Sequence, residues 1–417
     1  MSVAFTGAQV VDGTGAPPVR NGIVVAEEQR VAAVGAAERI GKPAGARVVD
    51  LSGLTILPGI IDTHVHATYR ARDIRRHVLN PATYNILKSI EILKATLDAG
   101  VTTVRDMGGA DAGFRQAVEE GIIPGPRLLI SIIMISQSGG HGDNLLPFGQ
   151  RLSKRTWLPH NIADGVEEVR RLVRQTLAAG ADFIKVCASG GITSFGDDFD
   201  DEQFSVDELR VAVEEAKRRG KTVAAHAENL ASVRNSLAAG IHSVEHGWFL
   251  DEESIDTMVR QGTWWVPTLA LVPTGVAHRR KDPAWSAAQL SDEHRAEAEI
   301  LRRQEAQIPL WREAVRRGVN IAFGTDQSHR LLVGRNLEEF RYMVDWLGLD
   351  PLAAIVAATG AAARCIGRSD IGTLEPGRRA DLIVVDGDPL ADIGVLADPA
   401  RIRLVVKDGI IVKNTLQ

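Results

Sequence analysis

The stretch ILPGIIDTHVH, residues 56–66, decides how this chain is read. It is an apolar run entered through Pro58 and Gly59 and left through two histidines, His64 and His66. Residues two apart on a strand present their side chains to the same face. Two imidazoles at the end of one strand can therefore converge on one cation, at about 2.1 Å per bond to zinc. A pair of core or loop histidines would fill the same positions, so the H-x-H needs company elsewhere in the chain.

Downstream, short apolar runs alternate with longer helical patterns. The strand candidates are IIDTHVH, VTTVRD, RLLISI, DFIKVCAS, TVAAHAE, SVEHG, TWWVPT and NIAFGTD, the third and seventh identified partly by position. Between them run amphipathic stretches such as VEEVRRLVRQTLAAG and VDELRVAVEEAKRRG. Several of these end in Ala-Gly or Arg-Gly, where glycine accepts the left-handed turn that closes a helix. Repeated βα units of this kind predict a parallel (β/α)8 barrel over residues 58–371. The two ends differ from the middle. Residues 1–57 and 372–417 alternate β-branched runs with Gly, Pro and Asp turns, and each is too short to bury much core alone. We expect them to pair into one small β-sandwich domain.

In such barrels chemistry sits at the C-terminal ends of the strands. Those ends carry His64 and His66, then Lys185, His226, His246 and Asp326. Lys185 lies among apolar neighbours, where an ammonium is costly to desolvate. One reading is a salt-bridged lysine. The other is an amine neutralised by burial, which takes up CO2 as an anionic carbamate able to bridge two metals. His226 and His246 are candidate neutral imidazole ligands for a second ion, or core histidines; His242 is read as structural. Asp326 either caps the following helix or serves as metal ligand and general base. A carbamate, Asp326 and a bridging hydroxide would leave net positive charge on two divalent ions, able to stabilise a tetrahedral oxyanion.

Composition narrows the alternatives. Apolar residues make up 45% and aromatics 5%, and a net charge of −5 leaves no basic footprint for nucleic acid. No apolar run approaches the length of a membrane span, and the N-terminus lacks the pattern of a signal peptide. The only two cysteines, Cys187 and Cys365, are far apart and form no disulfide framework. A cytoplasmic protein with a small-molecule substrate, no nucleic-acid or membrane partner and a homo-oligomeric state is the expectation. No G-x-G-x-x-G or P-loop follows a strand.

The stretches LPGIIDTHVHA, GVTTVRDMGG, GADFIKVCASGG, VAAHAEN, SVEHG, GTD and GTLEPGRRADLIVVDGDPL resemble the amidohydrolase superfamily over nearly the whole chain. The closer likeness is to its imidazolonepropionase-related branch, which includes metal-dependent dipeptidases and carboxypeptidases. The resemblance implies a distorted barrel with a β-sandwich from both termini and two divalent ions, with zinc the expected metal. His64, His66, a carboxylated Lys185 and Asp326 would hold the more buried ion; Lys185, His226 and His246 would hold the other. It also implies that His141, in SQSGGHGD, contacts the scissile carbonyl or a substrate carboxylate. The activity implied is hydrolysis of an amide: a C-terminal peptide, N-acyl amino acid, carbamate or urea. A mononuclear ring hydrolase or deaminase, a lactonase and an organophosphate hydrolase are the alternatives. Deaminases of the first kind carry Glu where this chain has Asn229. Dipeptidases of the branch often carry Tyr where this chain has Glu228; a carboxylate facing the pocket there would favour a cationic or neutral substrate group. Arg330 and Arg335 are candidates for anion recognition or plain surface residues. Trp248, with Trp264 and Trp265, lines a pocket or packs the core. The acidic run FGDDFDDEQF is read as a solvated loop.

Overall fold

The fold, taken from a computed structural model, is described over residues 2–68, 80–143, 160–192, 197–279, 287–328 and 333–416. Five strands open the chain: β1 (Ser2–Val10), β2 (Val19–Glu27), β3 (Arg30–Ala36), β4 (Arg47–Asp50) and β5 (Thr55–Pro58). β1 pairs antiparallel with β2 and parallel with both β4 and β5.

Nine short parallel strands follow: β6 (Ile60–Val65), β7 (Val101–Asp106), β8 (Arg127–Ile130), β9 (Met134–Ile135), β10 (Ile184–Cys187), β11 (Val223–Ala227), β12 (Ser243–His246), β13 (Trp264–Val266) and β14 (Asn320–Ile321). They form two hydrogen-bonded stretches, β6-β7-β8 and β9 to β14 in order. A parallel bridge between Val65 and Gln327 joins β6 to the segment after β14. The other seam lies between β8 and β9. There Ile132 takes a φ of 68°, a left-handed conformation unfavourable for a β-branched residue. The third barrel position is thereby divided into two strands, one for each neighbour. The barrel is distorted at that point.

Helices cover the barrel, and their sequences explain their limits. The helix Val206–Lys217 starts at a capping box between Ser205 and Glu208. It buries Leu209, Ala212 and Ala216, spaced for one helical face. Among the described residues, no helix is long and apolar enough to cross a membrane.

The chain then returns to the first sheet through β15 (Leu382–Val385), β16 (Ile402–Lys407) and β17 (Ile410–Asn414). β15 pairs antiparallel with β5, Leu382 opposite Pro58, so both termini share one eight-stranded sheet. The run Leu382-Ile383-Val384-Val385 is apolar throughout because β15 is covered on both faces. Leu382 and Val384 join the β-domain core with Phe5, Val24 and Ile56. Ile383 and Val385 pack instead into the barrel's core.

Strand register identifies the barrel interior. Lys185 pairs with Ala224, which pairs with Ser243; Cys187 pairs with His226, which pairs with Glu245. Partners across parallel strands point the same way. The interior of β12 is therefore Ser243 and Glu245, and regular alternation would send His246 outward. His246 has a φ of 68°, and Asp326, beyond β14, has a φ of 51°. Each leaves its strand in a left-handed conformation.

Candidate metal centre

His64, His66 and Asp326 stand together at the barrel mouth. His64 Nε2 lies 3.6 Å and His66 Nε2 3.4 Å from Asp326 Oδ1. Ligand atoms about 2.1 Å from one ion at tetrahedral angles lie roughly 3.4 Å apart, so the spacing suits a shared cation. The ring nitrogens are assigned by their partners. His66 Nδ1 donates to the Gly108 carbonyl at 3.0 Å, and His64 Nδ1 donates to Glu245 Oε2 at 2.9 Å. Both Nε2 atoms are left as acceptors turned toward Asp326. Beneath them, Asp62 accepts from Asn336 Nδ2 and from the backbone and hydroxyl of Thr325. Full burial pushes the Asp62 carboxyl up to about 6 against those hydrogen bonds.

His226, Glu228 and His246 form a second group. The His226 and His246 ring centroids are 4.7 Å apart, and His246 lies 4.9 Å from His64, so the groups adjoin. His246 Nδ1 shares a 2.7 Å hydrogen bond with the Thr268 hydroxyl, and His226 Nε2 donates to the Gly190 carbonyl at 3.0 Å. Glu228 is buried, its Oε1 4.0 Å from His226 Nε2. Burial, with neighbouring positive groups, holds His64, His226 and His246 well below the usual histidine range. Neutral imidazole is the form that ligates a metal.

Lys185 lies beside both groups. It is 1% exposed, and its Nζ has no hydrogen-bond partner. It lies close enough to His64, His226 and His246 for its charge to act on all three. Burial lowers its pKa, against the opposing pull of Glu245, Cys187 and Asp326. A buried amine with no hydrogen-bond partner is costly to keep charged.

His141 stacks on His226, with centroids 4.1 Å apart and planes 12° from parallel. Gly191 permits this approach: a Cβ there would come within 2.4 Å of His141 Cε1. The acidic run divides here. Asp200 is solvated, as expected, but Asp197 turns inward with a side chain 1% exposed, its Oδ2 3.5 Å from His141 Nδ1. Asp197 accepts from Gly191 N at 3.0 Å and Gln203 Nε2 at 3.3 Å, binding its loop to that of His141.

Other candidates fall elsewhere. Trp248 is fully buried, donates to the Pro267 carbonyl and packs edge-on against His246, so it backs the centre from the core. Arg335 is bound to Glu338, and Arg330 lies outside the described residues. Asn229 caps the helix Leu230–Ala239 and donates to the carbonyls of Phe199 and Asp201, a structural duty. His242 is held by the Cys365 carbonyl.

The model of the Amidohydrolase family matches residues 55–412. This chain belongs to the amidohydrolase family. It is 32% identical over 418 residues to an ochratoxinase of Aspergillus niger, covering 95% of this chain and 84% of that protein. A prolidase solved with N-methylphosphonate-L-proline superposes with a TM-score of 0.89 at 33% identity, covering 99% and 100% of the two chains. An Xaa-Pro dipeptidase with bound methionine superposes at 0.86 with 28% identity over 99% and 100%. This amidohydrolase therefore acts on carbon–nitrogen bonds, on a TIM-like barrel with an appended β domain. Amidohydrolases generally use divalent metals, and the two side-chain groups above are its candidate ligands.

Proposed function

We propose that this amidohydrolase holds two divalent ions, zinc by expectation, and cleaves an amide of the C-terminal peptide or N-acyl amino acid type. The observation that carries this reading is the buried, unpartnered Lys185 Nζ beside both ligand groups. Its neutral amine would add to CO2, forming an N–C bond and releasing one proton, to give a carbamate with an oxygen for each group. His64, His66 and Asp326 would hold one ion; His226 and His246 would hold the other. When bound, such ions would lower the pKa of a water and polarise the substrate carbonyl.

The chain's own residues supply the rest. Asp326 Oδ1 faces both first-group histidines, placing a carboxylate to accept the water's proton and return it to the leaving nitrogen. His141, stacked on His226, would contact the scissile carbonyl. Glu228, buried 4.0 Å from His226 Nε2, would disfavour an anion beside it, so the carboxylate of such a substrate would lie away from that side chain. The names of the relatives, an ochratoxinase and dipeptidases of the prolidase type, support an amide substrate. Asn229, in the slot where such deaminases carry Glu, is engaged as a helix cap, which supports hydrolysis over deamination.

Elemental analysis of metal-replete protein, with a hydrolysis panel of dipeptides, N-acyl amino acids, carbamates and lactones, tests the proposal. Close to two ions per chain with amide cleavage is the expected result. One ion or fewer, with no amide cleavage, overturns it.

A further inference from the structure

Glu245 and Arg105 occupy the barrel axis directly beneath the centre, and neither is a candidate ligand. Register places Ser243 and Glu245 inside β12, with Glu245 fully buried and Arg105 2% exposed. One carboxylate oxygen of Glu245 accepts from His64 Nδ1 at 2.9 Å. The other accepts from Arg105 Nη2 at 2.8 Å and Ser243 Oγ at 2.5 Å. Arg105 continues to Thr63 O at 2.6 Å and Ser243 Oγ at 3.1 Å, and its guanidinium lies 5.3 Å from the Phe183 ring centroid.

We propose that Glu245 is a positioning residue for the first metal group, setting the ring orientation and tautomer of His64, with Arg105 as its counter-charge. A carboxylate oxygen can only accept, so the hydrogen of His64 stays on Nδ1 and Nε2 is left to ligate. The contact spans the barrel from β12 to β6, and the length of the Glu side chain matters for that reach. A buried carboxylate alone is costly. Arg105, from β7, offsets the charge and satisfies the second oxygen. Thr63 and Ser243 anchor Arg105, so three strands converge on one imidazole. Carboxylates behind metal-bound histidines restrict the ring and raise its basicity, and their loss typically costs about 10- to 100-fold in metal affinity.

The rival role is charge balance for Arg105 alone, and Glu245→Asp separates the two. It keeps the charge opposite Arg105 but withdraws the oxygen from His64. A second, charge-balanced variant, Arg105→Met with Glu245→Met, removes the acceptor without leaving a buried charge unpaired. Stepwise zinc affinities are measured by chelator competition on full-length protein, together with kcat and KM. In both variants one of two ions should weaken by about 10- to 100-fold, with the other held as in wild type and kcat falling more than KM rises. Wild-type affinity for both ions in Glu245→Asp overturns the positioning role. The inference rests on the first metal group proposed above, and its failure is distinguishable. The stoichiometry of the wild type reads that proposal, and the ratio of variant to wild-type affinity reads this one. A single wild-type ion that weakens in Glu245→Asp overturns the two-ion reading and supports this inference; no wild-type ion at all overturns both.

Discussion

His64 and His66 reach the barrel mouth on one regular strand, two residues apart and on one face. His226 and His246 reach it on two strands, and His246 must leave its strand at a φ of 68° to do so. The first group is backed by the hydrogen bond of His64 to Glu245, the second by the Thr268 hydroxyl at His246. Equivalent imidazoles can thus be presented by strand alternation or by backbone conformation. Only alternation leaves a legible spacing. A left-handed non-glycine residue costs on the order of 1–3 kcal/mol, and its surroundings must hold it. For His246 they include its backbone carbonyl, which accepts from Trp265 Nε1 at 2.7 Å.

The two groups can be broken together or apart. Lys185→Ala should have the largest effect, since its amine adjoins both: metal content and turnover fall together, with partial rescue by short carboxylic acids. Normal metal loading in that variant would remove the carbamate. Asp326→Asn should lower kcat by about 100- to 10,000-fold while most metal stays, because the amide still offers an oxygen to the first group; retained turnover would remove Asp326 as the base. Thr268→Val, which deletes the partner of His246 but keeps its shape, should weaken only the second ion, by about 10- to 100-fold. Loss of the first ion instead would show that the groups are not separable.

Protonation should act on both groups at once. The folded pKa values of His64, His226 and His246 lie well below the ordinary 6.5. Below that pH the unfolded chain binds protons that the folded one refuses, so the stability these residues contribute falls with acidity. Chemical denaturation of metal-free protein should therefore show a loss of stability as pH drops from about 6.5, and a flat profile would mean that the imidazoles are solvated. The smallest effect expected is that of Glu228→Gln. It should shift preference among substrates of different charge, read as kcat/KM on matched cationic, neutral and anionic amides. An unchanged ranking would show that Glu228 does not face substrate.

The likelihood that a feature could be read from sequence followed its locality. β6 announces itself because an apolar run ends in H-x-H, and Lys185 because a cation stands among Ile, Val and Phe. Glu245 gave no such signal: within SVEHG the histidine draws attention, and an acidic neighbour reads as surface. Its burial depends on Arg105, 140 residues away in sequence. Asp197 was hidden in an acidic run of which Asp200 is solvated; only its contact with Gly191, Gln203 and His141 distinguishes it. Trp248 illustrates the reverse, since an aromatic after a ligand histidine suggests a pocket wall but packs behind it.

The order of βα units, the two β-rich ends and the strand-end residues proposed to carry the chemistry were determined by the sequence alone, because periodicity and turn residues act over a few neighbours. The tertiary structure decided which side chains face the axis. It split the third barrel position at Ile132, turned His246 and Asp326 inward through left-handed backbone, and joined Arg105, Glu245 and His64 into one buried contact. Those outcomes depend on register between strands and on the cost of leaving charge unpaired in a closed barrel, neither of which is written in any one segment.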